Sequence, residues 1–398
     1  MLGIAKPACH IRHMGLRQDL FVSRKPLMGF IAIGVAWSIY FAQMPVIKAQ
    51  VGASDAAYGI ALLFSSLGAI AAMWLAPASQ RWAGGYATPL GIVGVAVGML
   101  WAGVSPTLVS LSVAMLVTSM GTGIVDVLVN ARVSEVEAQT GRPLMNLNHA
   151  AYSFSYAGAA MLTGLLRNAE LGPALIMSGL FGFLMILTVL AYDRPAEMDA
   201  GGNEAPGKLP VLLIVLTGVV LLVGILTEAA TEGWSALHLE RTLGGTAVEG
   251  AMGPAILGLT MGIGRIMGHW VSHYLRDTTL MICAALVAAV GVTIAASAPT
   301  VTVAHVGFAV AGLGISVVFP LAIALIGRVV DPEIRLAAIS RAAVIGYGAF
   351  FFGPPLMGLV AEGFGLRAAF YAIAGILVMV AAVLVPALAR QARITQAR

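Results

Sequence analysis

Charge and cysteine are the scarcest features of this 398-residue sequence. Only 10% of its residues are charged, whereas a soluble domain carries about 25%. So few charges cannot cover the surface of a water-soluble globule of this length, and a disordered chain would need more charge and less hydrophobicity. The two cysteines, Cys9 and Cys283, exclude a scaffold stapled by several disulfides, and we expect both to be free thiols.

Signatures of catalysis are also missing. No cysteines and histidines have the spacing of a zinc site, and no Gly-x-x-x-x-Gly-Lys-Ser/Thr loop is present to bind ATP. The sequence therefore predicts neither an enzyme nor an ATP-driven pump, and we expect no cofactor and no metal. The net charge of +4 gives no indication of nucleic-acid binding.

Apolar residues are abundant and make up 59% of the chain. They form twelve stretches of about 20 residues, the length that a helix needs to cross a bilayer. The sequence thus predicts an all-α membrane protein with twelve transmembrane helices. The predicted spans are 27–47, 58–79, 87–105, 107–130, 148–167, 172–192, 210–231, 250–272, 278–298, 301–326, 336–361 and 367–389.

The positions of lysine and arginine predict the orientation. Counted over the segments between the spans and their ends, 18 of these residues lie on one side and 4 on the other. Cytoplasmic segments carry the excess of Lys and Arg, so both termini are predicted to be cytoplasmic. Residues 1–26 are polar and basic and have no pattern of a cleaved signal peptide.

A polar segment divides the predicted spans into six plus six. Residues 193–209 contain four acids, two bases, three glycines and two prolines, a composition typical of a solvated linker. The predicted organisation is a cytoplasmic segment (1–26), an N-terminal six-helix half (27–192), a cytoplasmic linker (193–209), a C-terminal six-helix half (210–389) and a cytoplasmic tail (390–398).

The two halves resemble each other. Gly121-Thr122-Gly123 in span 4 corresponds to Gly312-Leu313-Gly314 in span 10. Twelve helices in two related halves, joined by a polar linker, resemble the major facilitator superfamily over roughly residues 27–389. The resemblance implies that spans 1, 4, 7 and 10 line a central cavity and that the halves rock about it.

Short motifs narrow the resemblance to one bacterial branch of the superfamily. In chain order they are Gly121-Thr122-Gly123-Ile124-Val125-Asp126 with Asn130, Gly141-Arg142-Pro143-Leu144-Met145 with His149, Glu232-Gly233-Trp234, Gly264-Arg265-Ile266-Met267-Gly268 and Gly353-Pro354-Pro355. The set is similar to the branch that contains YbjJ and MosC, and more distantly to the fucose permeases. The resemblance implies a bacterial inner-membrane permease with a small-molecule substrate, and we expect a monomer.

Ionisable side chains inside the spans are candidate functional residues, because each costs about 2.5–3.5 kcal/mol to insert. Asp126 and Asn130 share one face of span 4, where the acid could carry a coupling proton, bind substrate or serve only the structure of a gate. His149 titrates near neutral pH and could pair with either residue. Arg265 and Arg341 are predicted to belong to the same group of gate or proton-coupling residues.

Spans 1 and 7 carry the predicted substrate-binding residues. Trp37, Tyr40 and Gln43 lie roughly on one helix face, and their rings and amide suit a neutral polyol, although ordinary aromatic packing would place them equally well. In span 7, Glu228, Glu232 and Trp234 could bind a sugar ring. The competing interpretation is a tryptophan of the membrane interface beside two acids that reach water.

Three functions remain open at this point. The first is a secondary active transporter of a small polar organic solute, sugar-like or rhizopine-like, which uses protons in symport and alternating access. The second is efflux of drugs or metabolites by proton antiport. The third is a membrane receptor or scaffold that transports nothing. The expected partners are a small-molecule substrate, protons and membrane lipid, with no nucleic acid.

Overall fold

The computed structural model describes residues 16–142, 144–193, 209–271 and 274–396. Within these ranges every element is a helix, and nine continuous helical segments are long and apolar enough to cross a membrane. Two of the nine contain a break, at Gly84–Tyr86 and at Gly365, and each therefore forms two spans. The helix Met145–Asn168 is long enough to cross but more polar. The predicted twelve-helix architecture is thus confirmed.

The spans have the following bounds: Arg24–Gln50 (span 1), Asp55–Ala61 with Leu63–Ala83 (span 2), Ala87–Gly103 (span 3), Leu108–Thr140 (span 4), Met145–Asn168 (span 5), Pro173–Leu190 (span 6), Val211–Leu237 continued by the π-helical turn His238–Thr242 (span 7), Ala247–Val271 (span 8), Asp277–Ser297 (span 9), Val301–Val329 (span 10), Pro332–Tyr347 with 349–364 (span 11), and 366–379 with Val380–Leu384 and Val385–Gln396 (span 12). A short helix, Leu16–Val22, precedes span 1.

Several helices run beyond the apolar stretches that predict them, and span 4 shows why. It continues to Thr140, ten residues past the predicted end, because its last turns are polar and stabilise each other. There Arg132 donates to Glu135 at 2.7 Å, a pair spaced i, i+3 on the helix. Gly141 then ends the helix in the left-handed conformation, with φ 68°.

Most of the predicted linker (194–208) and the first 15 residues lie outside the described part of the chain. The predicted limits of the domains therefore stay predictions. On either side of the linker, span 6 ends at Leu190 and span 7 begins at Val211.

The internal repeat is visible in how span 4 and span 10 begin. Thr107 and Thr300 precede these helices with the same backbone angles, φ −138° and ψ 158°. Each side-chain hydroxyl accepts a hydrogen bond from the backbone N–H three residues on, from Ser110 at 3.2 Å and from Val303 at 3.4 Å. Both N-caps satisfy a backbone donor that the helix itself leaves unpaired.

The repeated glycines are points of close helix contact. A Cβ on Gly121 would lie 2.7 Å from the carbonyl oxygen of Gly91 in span 3, and one on Gly314 would lie 2.5 Å from that of Ala284 in span 9. Small residues allow backbones to approach closely in lipid, where packing holds helices together. The glycine pattern thus joins spans 3 and 4 in one half, and spans 9 and 10 in the other.

The halves meet chiefly where span 1 contacts span 7, span 2 contacts span 11, and span 5 contacts span 8. We call the end of the bundle with the connections 51–54, 169–172 and 243–246 the closed end. The opposite end, where the chain approaches the central linker at 193 and leaves it at 209, is called the linker end.

Candidate functional site between the two halves

Arg167 holds the halves together at the closed end. Its guanidinium nitrogens Nη1 and Nη2 donate to the two carboxylate oxygens of Glu240, each at 2.7 Å, and Nη1 also donates to the carbonyl oxygen of Ala42 at 2.6 Å. The pair joins span 5 to span 7, and the side chain of Arg167 is only 6% exposed. Such bidentate pairs have a fixed geometry, so this contact sets the distance between the halves.

Asp55 forms a second connection at the closed end. Its carboxylate accepts from Lys48 at 2.9 Å and from Arg241 of span 7 at 2.8 Å. Asp55 also begins span 2, where its backbone N–H donates to the carboxylate of Glu362 in span 11 at 2.8 Å. A carboxylate at a helix N-terminus satisfies free N–H groups and complements the helix dipole.

An aromatic layer lies beneath these ion pairs. The hydroxyls of Tyr40 and Tyr58 are 2.7 Å apart, and the ring of Trp234 meets that of Tyr58 edge to face, with 6.0 Å between centroids. A Cβ on Gly233 would lie 3.6 Å from the ring of Phe41. Tyr40 and Trp234, two predicted substrate-binding residues, are therefore buried in the layer that seals the closed end.

The linker end has no comparable connection in the part of the chain that the structure describes. Arg132 pairs with Asp193 and Arg142 with Asp19, acids that flank the two ends of the N-terminal half, while Arg328 pairs with Asp277 in the C-terminal half. Asp126 and Arg341 are exposed. The space between the halves is thus sealed at the closed end and accessible from the linker end.

An ion pair of the C-terminal half faces this space near its middle, and its arginine also contacts the N-terminal half. Arg265 of span 8 approaches Glu228 of span 7 at 3.6 Å, and its Nη1 lies 3.4 Å from the hydroxyl of Ser153 in span 5. Both charged side chains are 32% exposed. The distance is longer than a charge-assisted hydrogen bond, so the pair is loose and water or a solute can reach it.

Glu232 lies one helical turn beyond Glu228, toward the closed end. It is only 7% exposed, and no cation of the described residues lies within ion-pair distance of it. Tyr152 and Tyr156 of span 5 lie within electrostatic range of both acids. We call Glu228, Glu232, Arg265, Tyr152 and Tyr156 the central cluster; it takes residues from both halves.

The predicted proton-coupling or gate residues lie closer to the linker end. Asn130 donates its side-chain amide to the carboxylate of Asp126 at 3.0 Å, and so shares a helix face with it, as predicted. Asp126 lies within electrostatic range of Tyr347 of span 11, in the other half. Arg341 makes no hydrogen bond or ion pair with any residue described.

His149 and the span 1 residues have other partners. The ring of His149 packs edge to face on Phe30 at 4.8 Å, and within the described residues it hydrogen-bonds to neither Asp126 nor Asn130. Trp37 donates its indole N–H to the hydroxyl of Thr122 at 3.2 Å. Gln43 is fully buried, and neither atom of its amide has a partner in the described structure.

Sequence reasoning missed several of these residues. Tyr152 and Tyr156 are spaced by four on a helix, a visible signal, yet no pattern shows that this face points at span 7. Arg167 and Glu240 lie near the ends of spans, where charges are ordinary. Their pairing depends on the packing of two halves far apart in sequence. No group of metal-binding side chains occurs among the residues that the structure describes.

Comparison with known proteins agrees with this architecture. The family model of the Major Facilitator Superfamily matches residues 234–396. An uncharacterized transporter, y4wD of Sinorhizobium fredii, is 28% identical over 391 residues, which cover 94% of this chain and all of that protein. Membrane protein MosC of Rhizobium meliloti is 26% identical over 360 residues, 89% of this chain and 88% of MosC. The chain resembles the major facilitator superfamily.

A solved structure supports the major facilitator fold over both halves. The D-xylose-proton symporter superposes with a TM-score of 0.72, covering 92% of this chain and 97% of the symporter at 15% sequence identity. The predicted resemblance to the superfamily and to its MosC-containing branch is therefore confirmed. The family is one of transporters, and the chain is a multi-pass membrane protein.

Proposed function

We propose that this protein moves a small polar organic solute, sugar-like or rhizopine-like, in symport with protons. The observation that carries the proposal is the central cluster, in which ionisable residues of both halves meet under a sealed end. Charged side chains at this depth are costly and are kept where they bind a solute or an ion. Alternating access would open the closed end and close the linker end around the same cluster.

The chemistry of the cavity favours a solute with several hydroxyl groups. Glu228 and Arg265 offer charged acceptors and donors, and the tyrosine hydroxyls add neutral ones. Trp37 of span 1 supplies a partly exposed ring. A few convergent polar groups on an apolar wall are typical of sites for small molecules. The fold shared with a D-xylose-proton symporter agrees with this substrate class.

Efflux by proton antiport is the second candidate. Asp126, Glu228 and Glu232 outnumber Arg265 and Arg341 in the space between the halves. An excess of acids would also suit a cationic drug or metabolite. The two candidates differ in the direction in which a proton gradient moves the solute.

The proposed setting is a bacterial inner membrane, with the linker end and both termini in the cytoplasm. The excess of Lys and Arg on that side supports this orientation. We further propose that one chain is the working unit, because the central cluster is built from a single chain. We propose no catalytic activity.

A ligand screen tests the proposed site. Melting temperatures of the purified protein are measured with sugars, inositol amines, amino acids and cationic drugs, because a ligand at 100 times its Kd adds about 2.7 kcal/mol of stability. Arg265→Gln is expected to abolish the shift that a polyol gives. Arg328→Gln, which removes an arginine outside the cavity, is expected to keep it. No stabilising solute in any class, or equal shifts in both variants, would count against the site.

A further inference from the structure

Residues 232–234 of span 7 form the part of the C-terminal half that meets three different spans of the N-terminal half. Glu232 faces Tyr156 of span 5, Gly233 faces Phe41 of span 1, and Trp234 faces Tyr58 of span 2. When the halves separate at the closed end, all three contacts must break. An acid in this layer is therefore placed to sense whether the closed end is sealed.

Glu232 differs from the other acids of the cavity in having little water and no counter-ion. Glu228 is 32% exposed and pairs with Arg265, and Asp126 is exposed and accepts from Asn130. Glu232 is 7% exposed and forms no ion pair with a described residue. Burying a charged carboxylate without a counter-ion is so costly that the group takes up a proton instead.

The groups that face Glu232 do not remove this cost. Glu228 on the same helix adds a second negative charge, and Arg265, which lies nearer to Glu228, offsets only part of it. Tyr152 and Tyr156 of span 5 offer neutral hydroxyls. Tyr40 and Tyr58, of spans 1 and 2, are paired with each other one layer further out.

The hydroxyl of Tyr156 is a polar group of the N-terminal half that lies beside Glu232. Its side chain is fully buried, and its oxygen lies beside the carboxyl group of Glu232, close enough for the two groups to interact. A protonated carboxyl can both donate to and accept from a hydroxyl, so one proton on Glu232 would satisfy both groups across the two halves.

We infer that Glu232, rather than Asp126 or Glu228, is the carboxyl that carries the coupling proton, and that its protonation permits the closed end to seal. Without the proton, the charge draws in water and favours the conformation in which the closed end opens. The inference rests on the proposed proton-coupled function and assigns that function to one residue. By linkage, if sealing binds one proton, lowering the pH favours sealing.

The test measures the opening of the closed end directly. Spin labels are placed at Ala174→Cys in span 6 and Ser297→Cys in span 9, two exposed positions near that end in opposite halves, after Cys9→Ser and Cys283→Ser. Their distance distribution is recorded in lipid from about pH 5 to about pH 9, a range that covers a perturbed carboxyl. We expect the open-to-sealed ratio to rise about tenfold over this range.

Matched variants assign the response to a residue. Glu232→Gln keeps the shape of the side chain but cannot exchange a proton. We expect its labels to stay at the distance of the sealed conformation at every pH, as in wild type at low pH. Glu232→Asp keeps an acid and should retain a pH response, which separates loss of the proton from misfolding. Asp126→Asn replaces another acid of the cavity by its amide, and it should also retain the pH response.

Each other outcome overturns the inference. It fails if the distances of the wild-type protein do not depend on pH, if Glu232→Gln responds as wild type does, or if Asp126→Asn alone removes the response. Solute flux in vesicles is measured on the same preparations. If wild type shows flux and the distances in Glu232→Gln still depend on pH, only the assignment of Glu232 is rejected. If no flux is found, the proposed function is rejected.

Discussion

At the scale of single residues, Gln43 stands out because its surroundings do not stabilise its side-chain amide. The residue is fully buried in span 1, and neither its amide nitrogen nor its amide oxygen has a partner among the described residues. A buried polar group without a hydrogen bond costs about 1–3 kcal/mol. A side chain that weakens the fold in this way is a candidate for binding a solute that supplies the missing hydrogen bonds.

We predict that Gln43→Leu raises the melting temperature of the protein and reduces its solute flux. Leucine removes the unsatisfied amide at similar volume, so the free energy of unfolding should increase by about 1 kcal/mol. Thermal unfolding and vesicle flux measure the two effects. The control is Gln50→Leu at the end of the same helix, where the amide donates to the carbonyl oxygens of Gly103 and Ser105. That change should lower the melting temperature, and a fall for Gln43→Leu as well would contradict the interpretation.

At the scale of elements, the contact between spans 2 and 11 depends on the absence of side chains. A Cβ on Gly59 would overlap the carbonyl oxygen of Pro354, and one on Gly358 would overlap that of Asp55. Backbone therefore meets backbone where the two halves join. The pair of prolines Pro354-Pro355 marks the same stretch of span 11.

We predict that Gly59→Ala forces spans 2 and 11 apart. The protein then shifts toward the conformation in which the halves are separated at the closed end. The added methyl group meets backbone that cannot rotate away, and such overpacking costs about 1–3 kcal/mol. The distance between labels at positions 174 and 297 reports the shift. Gly179→Ala in span 6 is the control, because nothing lies within 4 Å of its added Cβ. Equal distances in both variants would show that the contact does not hold the end closed.

We also predict that Glu240→Gln opens the closed end. The change leaves Arg167 buried without its bidentate partner, and breaking a buried ion pair costs about 3–5 kcal/mol. The same pair of labels should therefore move apart in a larger fraction of molecules. Glu135→Gln removes a partner of Arg132 within span 4 alone, and should leave the distances as they are.

The fold could be predicted from the sequence because each signal is local. The twelve apolar stretches, the polar segment at 193–209 and the repeated glycines of spans 4 and 10 each depend on neighbouring residues. The site could be predicted only in part, because it depends on contacts between different spans. The sequence indicates Glu228 and Glu232 as costly charges, but not that one pairs with Arg265 and the other faces Tyr156.

At the scale of the whole molecule, the orientation in the membrane decides which compartment the linker end faces. We predict that a reporter active only in the cytoplasm gives a signal when fused after residue 200, and that a reporter active only in the periplasm does not. The reason is the excess of Lys and Arg at that end. Reporters fused after Thr246 should give the opposite pattern. A periplasmic signal after residue 200 would show that the linker end faces the periplasm and the closed end faces the cytoplasm.

The central claim is that two halves rock about one ionisable cluster and so move a solute against its gradient with protons. The most direct measurement is accumulation of a solute that stabilises the protein, in vesicles acidic outside and oriented as in the cell. We expect accumulation above equilibrium and its loss when a protonophore collapses the gradient, while exchange between equal pools of solute continues. Accumulation that is indifferent to the pH gradient, or absence of flux for every stabilising solute, would contradict the account.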